Sequence, residues 1–231
     1  VNWIDEAPVS AKSLISRWQK EPAPEGYESK LDGIVQNLPT YKFMSELTGK
    51  FDHTDLTQST VIISPSPEKL KEAHILKDQG LISDQPTMLA SIPSALDPEM
   101  KADNGLHTFG LEVLFTPYSL NGGWKGSQQP DRWLDIWGNV MDGDFRSQIM
   151  KWRAMTPDVY EKDFFMPKGH SPGYAASPLA TLVGRSRELS RYKTPIKGLY
   201  LTGAGTFPGA GIFGAPGTNT AKTVLKSISS S

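Results

Sequence analysis

Apolar and polar positions recur with two different periods along this chain. Between Ser10 and Lys20, Ala11, Leu14, Ile15 and Trp18 fall at i, i+3, i+4 and i+7, which predicts an amphipathic helix with Ser10 as its N-cap. Ser29 to Leu38 reads as a strand stopped by Pro39, and Thr60 to Ile63 as a short β-branched strand. Pro65 and Pro67 lead into a helix from about Glu68 to Asp78, and Thr87 to Ile92 is a further strand. The clearest period of two runs from His107 to Thr116. Phe109, Leu111, Val113 and Phe115 share one face there, with Thr108, Gly110, Glu112 and Thr116 on the other. After the polar loop NGGWKGSQQP, Asp131 to Trp152 predicts a long helix or a broken pair. Its stripe is Trp133, Ile136, Trp137, Val140 and Met141, and Gly138 and Gly143 are the breaks. The irregular order of strands and helices predicts an α+β fold, with helices around a mixed, largely antiparallel sheet.

The tail differs in kind. Gly198-Leu-Tyr-Leu-Thr202 has the pattern of a short buried strand, and it runs into a turn with six glycines between Gly203 and Gly217. Ala221, Val224, Leu225 and Ile228 then fall at helical spacing, so the tail reads strand, glycine-rich turn, helix. Glycines let a backbone approach a ligand closely and take positive φ, while the first turn of the helix offers unpaired N–H groups. The plainer alternative is a loop that only needs tight turns.

Two nucleotide fingerprints can be set aside. Gly209-Ala-Gly-Ile-Phe-Gly214 matches G-x-G-x-x-G literally, but the expected strand ends at Thr202, and no Asp or Glu follows Glu188 to hold a ribose. Gly217-TNTA-Lys222-Thr223 misses the P-loop, because Ala221 stands where its second glycine must be.

Composition narrows the field. A net charge of −1, from 24 basic and 25 acidic residues, leaves no footprint for nucleic acid across the 231-residue chain. Cysteine is absent, which removes disulfides, thiolate metal sites and thiol nucleophiles and fits a cytoplasmic protein. No apolar run suggests a transmembrane segment, although attachment at a membrane surface stays open. The chain begins at Val1, without signal-peptide character, and reads as a sequence entered in mid-course.

The segment KGLYLTGAGTFPGAGIFGAPGTNTAKTVL resembles the C-terminal flavin-contacting segment of the phytoene desaturase family. That family's relatives include carotenoid isomerases, desaturase-type carotene ketolases and a pyridine nucleotide-disulfide oxidoreductase-like group. Upstream, IPSALDPEM and the strand ending FTPYSLNGGW resemble its substrate-side segment. The resemblance covers most of the chain from about Thr87.

It implies an FAD-dependent oxidoreductase, of which this chain is the C-terminal half. Residues 1–195 would form a substrate-binding domain, and 196–231 the last part of the FAD-binding domain, without its N-terminal dinucleotide-binding part. The implied cofactor-binding residues are Gly203, Ala204, Gly205 and Thr206, near the pyrophosphate and ribityl chain. Pro208, Gly209, Ala210, Gly211, Ile212 and Gly214 would lie towards the isoalloxazine ring. The implied substrate is hydrophobic, with a polyene as precedent, and the implied reaction is hydride exchange with flavin. By itself the half chain would hold no FAD and be inactive. Its partners would be the missing N-terminal half and a second copy of itself. Where relatives carry a polar G-N-x-x-H stretch, this chain reads MPKGHSPGYAASPLATLVGRSREL, so no substrate contact transfers there.

His53, His74, His107 and His170 are scattered without ligand spacing, so no metal site is expected; only His170, by the family comparison, would fall on the flavin side. Trp133 and Trp137, four apart, read as core rather than as a substrate tunnel. No G-x-S-x-G elbow supports a serine triad, and no catalytic side chain is named, since a flavin carries the hydride chemistry. The rival reading is a non-catalytic lipid- or protein-binding scaffold of the Rab GDP-dissociation-inhibitor type, against which the glycine density argues. A stand-alone nucleotide-binding protein is a weaker third.

Overall fold

The computed structural model of the chain describes residues 4, 6–21, 24–47, 60–171, 173–174, 186–211 and 213–229. The chain forms two compact units, one of residues 23–170 and one that joins 1–22 to 171–231.

The 23–170 unit is built on a five-stranded sheet. Its strands are β1 (Glu28–Val35), β2 (Val61–Ile63), β3 (Met88–Ser91), β4 (His107–Leu114) and β5 (Ile149–Met155), in the order β2-β3-β4-β1-β5. Every pairing among these strands is antiparallel, so the mixed component expected of the sheet is not seen among the described residues. Leu31 pairs with Leu111, and Lys30 with Glu112 on the opposite face. Period-two alternation therefore sends Leu31, Val35, Phe109, Leu111 and Val113 to one side, where all are buried.

Helix α2 (Pro67–Asp78) starts at Ser66, whose hydroxyl caps the Lys69 amide, and α3 (Pro93–Leu96) follows β3. Helix α4 (Gln129–Gly138) closes the core. Trp133, Leu134 and Trp137 are fully buried, and the Trp137 ring meets Phe109 and Phe145 at 5.2 and 4.7 Å. The two tryptophans are thus packing residues. Gly33 is required where it stands, because a Cβ would lie 2.5 Å from the Phe109 ring and from the Lys151 carbonyl oxygen.

Three expectations are corrected in this unit. Of the long helix or broken pair predicted over Asp131–Trp152, the helix ends at Gly138, one of the expected breaks, and Ile149 to Trp152 lie in β5, where Trp152 and Ala154 turn towards the core. Met141, assigned to the helical stripe, bridges Tyr41 instead. The alternation of β4 does not reach Phe115, whose φ of 61° turns its ring against Tyr27 and His74. Thr116 is consequently buried, hydrogen-bonded to the Ser29 hydroxyl at 2.9 Å. Helix α5 (Pro157–Phe164) follows β5.

The second unit contains α1 (Lys12–Lys20), α6 (Arg187–Arg191) and α7 (Ala215–Ser229). A 3-10 turn, Val9–Ala11, enters α1, so Ser10 is not its N-cap. The guanidinium of Arg17 on α1 pairs with Glu188 on α6, whose side chain is 7% exposed. The compact units divide at 22/23 and 170/171, whereas the expected boundary stood at 195/196. The predicted strand Gly198–Thr202 makes one antiparallel bridge, Tyr200 with Lys193, rather than a ladder.

Candidate functional site: a braced glycine-rich turn

The turn from Gly203 to Gly214 leads directly into α7. Gly203, Gly209 and Gly214 hold φ of 89°, 108° and 62°, the left-handed region where a side chain is strained. A Cβ added at Gly203 or Gly214 would meet nothing within 4 Å, so both face open space. Among the described residues, the amides of Gly203, Ala204, Gly205, Ala210 and Gly211 donate to no protein acceptor. Exposed N–H groups at an open turn can receive the acceptor atoms of a ligand.

Other groups of the turn are spent on holding its shape. Thr206 is buried at 2% exposure, and its hydroxyl and amide both donate to the Gly203 carbonyl, at 2.9 and 3.0 Å. Its side chain therefore shapes the turn. The Gly209 amide donates to the Thr206 carbonyl at 2.8 Å, and the Phe207 amide to that of Leu189 at 2.9 Å. Pro208, Ala210, Gly211 and Gly214 are exposed, Ala204 and Gly205 half-buried, and Gly209 buried. Ile212 lies outside the described residues.

The residues that brace the turn carry no motif. The Tyr192 hydroxyl donates to the Phe207 carbonyl at 2.8 Å and accepts from Asn219 Nδ2 at 2.9 Å, linking the turn to α7. The buried Thr220 hydroxyl lies 3.0 Å from the Leu201 carbonyl oxygen and 2.8 Å from that of Pro216. Asn and Thr are poor helix formers, and their place in the first turns of an apolar helix was the signal in the sequence. Tyr192 gave none.

Elsewhere, the outward face of the sheet is charged. Asp32 pairs with Lys30 at 3.1 Å and with Arg153 at 3.4 Å. Glu28 is half-buried beside Glu112, and desolvation first, then that neighbour, push its carboxyl above the usual range. Tyr160, on α5, is pushed up to about 12 by burial and then by Glu28, Asp32 and Glu112.

Of the histidines, His74 packs on Phe115 at 4.3 Å and His107 Nδ1 sits 3.1 Å from the Ser94 hydroxyl. His170 closes the 23–170 unit with Nδ1 buried and without a hydrogen-bond partner among the described residues, and His53 lies outside them. No cluster of metal-binding side chains occurs among the described residues, and no helix there is long and apolar enough to cross a membrane.

Comparison with known proteins shows the chain to be a relative of an oxidoreductase family, matching a C-terminal portion of its members. It is 34% identical over 206 residues to pyridine nucleotide-disulfide oxidoreductase domain-containing protein 2 of Rattus norvegicus, covering 87% of this chain and 35% of the rat protein. It is 29% identical to the phytoene desaturase (lycopene-forming) of a Paracoccus species, over 76% of this chain and 35% of that protein. One of the limonene dehydrogenase polypeptides of Castellaniella defragrans is also 29% identical, over 69% of this chain and 29% of that protein. The chain thus spans about a third of the length of the curated relatives it matches. No family model matches it.

Proposed function

We propose that this chain is the C-terminal part of an FAD-dependent oxidoreductase, in which the Gly203–Gly214 turn and the start of α7 meet the flavin and the 23–170 unit serves the substrate. One observation carries the reading: among the described residues, a turn with five amides that donate to no protein acceptor, exposed at Gly203, Ala210 and Gly211, and braced by Tyr192, Asn219 and Thr206. Those amides fit the acceptor-rich edge of a flavin or a diphosphate. The N-terminus of α7 adds a partial positive charge that favours an anion beside it. When bound, the flavin supplies hydride exchange.

The residues of the chain bind and orient. Gly203, Gly209 and Gly214 set the backbone path, Thr206 locks the turn, and Tyr192 ties it to α7. With no cysteine in the chain, this part contributes no thiol to redox chemistry. Phytoene desaturase and limonene dehydrogenase are named for hydrocarbons, which supports an apolar substrate. A hydrocarbon cannot replace water on Glu28, Asp32, Glu112 and Arg153, so an apolar substrate seats away from the outward face of the sheet.

The reading predicts that a polypeptide extended upstream by a dinucleotide-binding half holds FAD, and that Gly209→Ala in it weakens FAD retention. Gly205→Ala, at a glycine without positive φ, should weaken it less. Equal retention in both variants and the parent would remove the turn from the cofactor site.

A further inference from the structure

The near-zero net charge of the chain hides a segregation. Residues 1–22 and 171–231 hold ten Lys and Arg against four Asp and Glu, a formal +6, while residues 23–170 hold 14 against 21, a formal −7. Within the basic unit lies a cavity of about 430 Å³, separate in its residues from the glycine-rich turn. Leu14, Pro195 and Thr223 line it together with Arg187, Arg191 and Lys193.

Glu188 also reaches this cavity, but the Arg17 ion pair neutralises it. Among the described residues, Arg187, Arg191 and Lys193 form no ion pair. All three are exposed, so their aliphatic stems can wall the cavity while the charged heads stay at its rim. Two guanidinium side chains and an ammonium side chain lining one cavity beside Leu14 and Pro195 suit one kind of ligand. The guanidinium fork matches phosphate oxygens, and the floor takes an uncharged body.

We propose that this cavity binds a small organic phosphate, with the phosphate held by Arg187, Arg191 and Lys193 and the apolar or aromatic body against Leu14, Pro195 and Thr223. The residues named do not include the glycine-rich turn, so the site does not depend on the flavin reading and either can fail without the other.

The test is calorimetric titration of the purified chain with AMP, octyl phosphate and inorganic phosphate at low ionic strength. One of the two organic phosphates should bind at least about tenfold tighter than inorganic phosphate, because only it uses the floor. A preference for AMP identifies a nucleotide-like body, and a preference for octyl phosphate an alkyl one. The double variant R187Q/R191Q should weaken the preferred ligand about tenfold or more, whereas Lys71→Gln on the other unit should leave it unchanged. Arg187→Lys should retain part of the affinity. Circular dichroism melts of each variant show whether the fold is kept. Equal affinity for inorganic and organic phosphate, no binding at all, or equal loss on Lys71→Gln would overturn the proposal.

Discussion

Tyr192 decides more about the turn than its place in the sequence suggests. One hydroxyl meets the carbonyl of Phe207 and the amide of Asn219, at 2.8 and 2.9 Å. Tyr192→Phe leaves both groups without that partner and should cost the unit of residues 1–22 and 171–231 about 1–3 kcal/mol. Urea unfolding followed at the tail would measure it, and an unchanged midpoint would show the brace to be dispensable. The glycines were legible because positive φ selects for them, and the structure finds it at Gly203, Gly209 and Gly214. Thr206 was legible as part of the motif, but not the inward turn of its hydroxyl to the Gly203 carbonyl. Tyr192 could not be read at all, because a tyrosine 15 residues before Phe207 announces no contact.

At the scale of elements, strands with strict alternation were readable and mixed patterns were not. β4 was found nearly to the residue, because Phe109, Leu111 and Val113 fill one face without interruption. β5 was read as the end of the Asp131–Trp152 helical stretch, because a register shift opposite Ile34 and Val35 sets Ile149 and Trp152, three apart, towards the core and leaves the apolar Met150 exposed.

The two core tryptophans of α4 separate two contributions. Trp137 Nε1 donates to the Tyr41 hydroxyl at 3.2 Å, whereas Trp133 Nε1 is buried without a partner among the described residues. Trp137→Phe should therefore destabilise the 23–170 unit more than Trp133→Phe, by about 1 kcal/mol, as read from urea midpoints. Equal losses would mean that volume alone matters.

The sheet face offers a pH test. Burial and Glu112 raise the carboxyl of Glu28 in the folded state, so folding favours its protonated form. That contribution is complete below the ordinary glutamate range and is lost as pH rises through the raised folded value. Glu28→Gln should then stabilise the chain at pH 7 relative to the parent and show no such gain at pH 4. The reverse order would place the charged form as the favoured one.

The whole molecule is two units of opposite formal charge, a division that composition alone conceals because the two nearly cancel. The expected boundary at 195/196 followed the glycine-rich motif. The compact units divide at 170/171 instead, and one of them holds the Arg17–Glu188 pair, a contact 171 residues apart that no local pattern contains. Kinship with the oxidoreductases was legible in the tail and is supported by similarity along 87% of the chain. Those relatives are nearly three times as long as the stretch they share with it, and on the present account the missing length carries most of the contacts to the nucleotide.

The central claim is that the braced turn is one half of a divided FAD site. Its most direct test is to denature the purified chain, and separately a polypeptide extended upstream by the dinucleotide-binding half, and to measure released flavin. The account predicts FAD from the longer polypeptide and none from the shorter. Flavin released from neither would contradict it and turn the reading towards a scaffold that binds without redox chemistry.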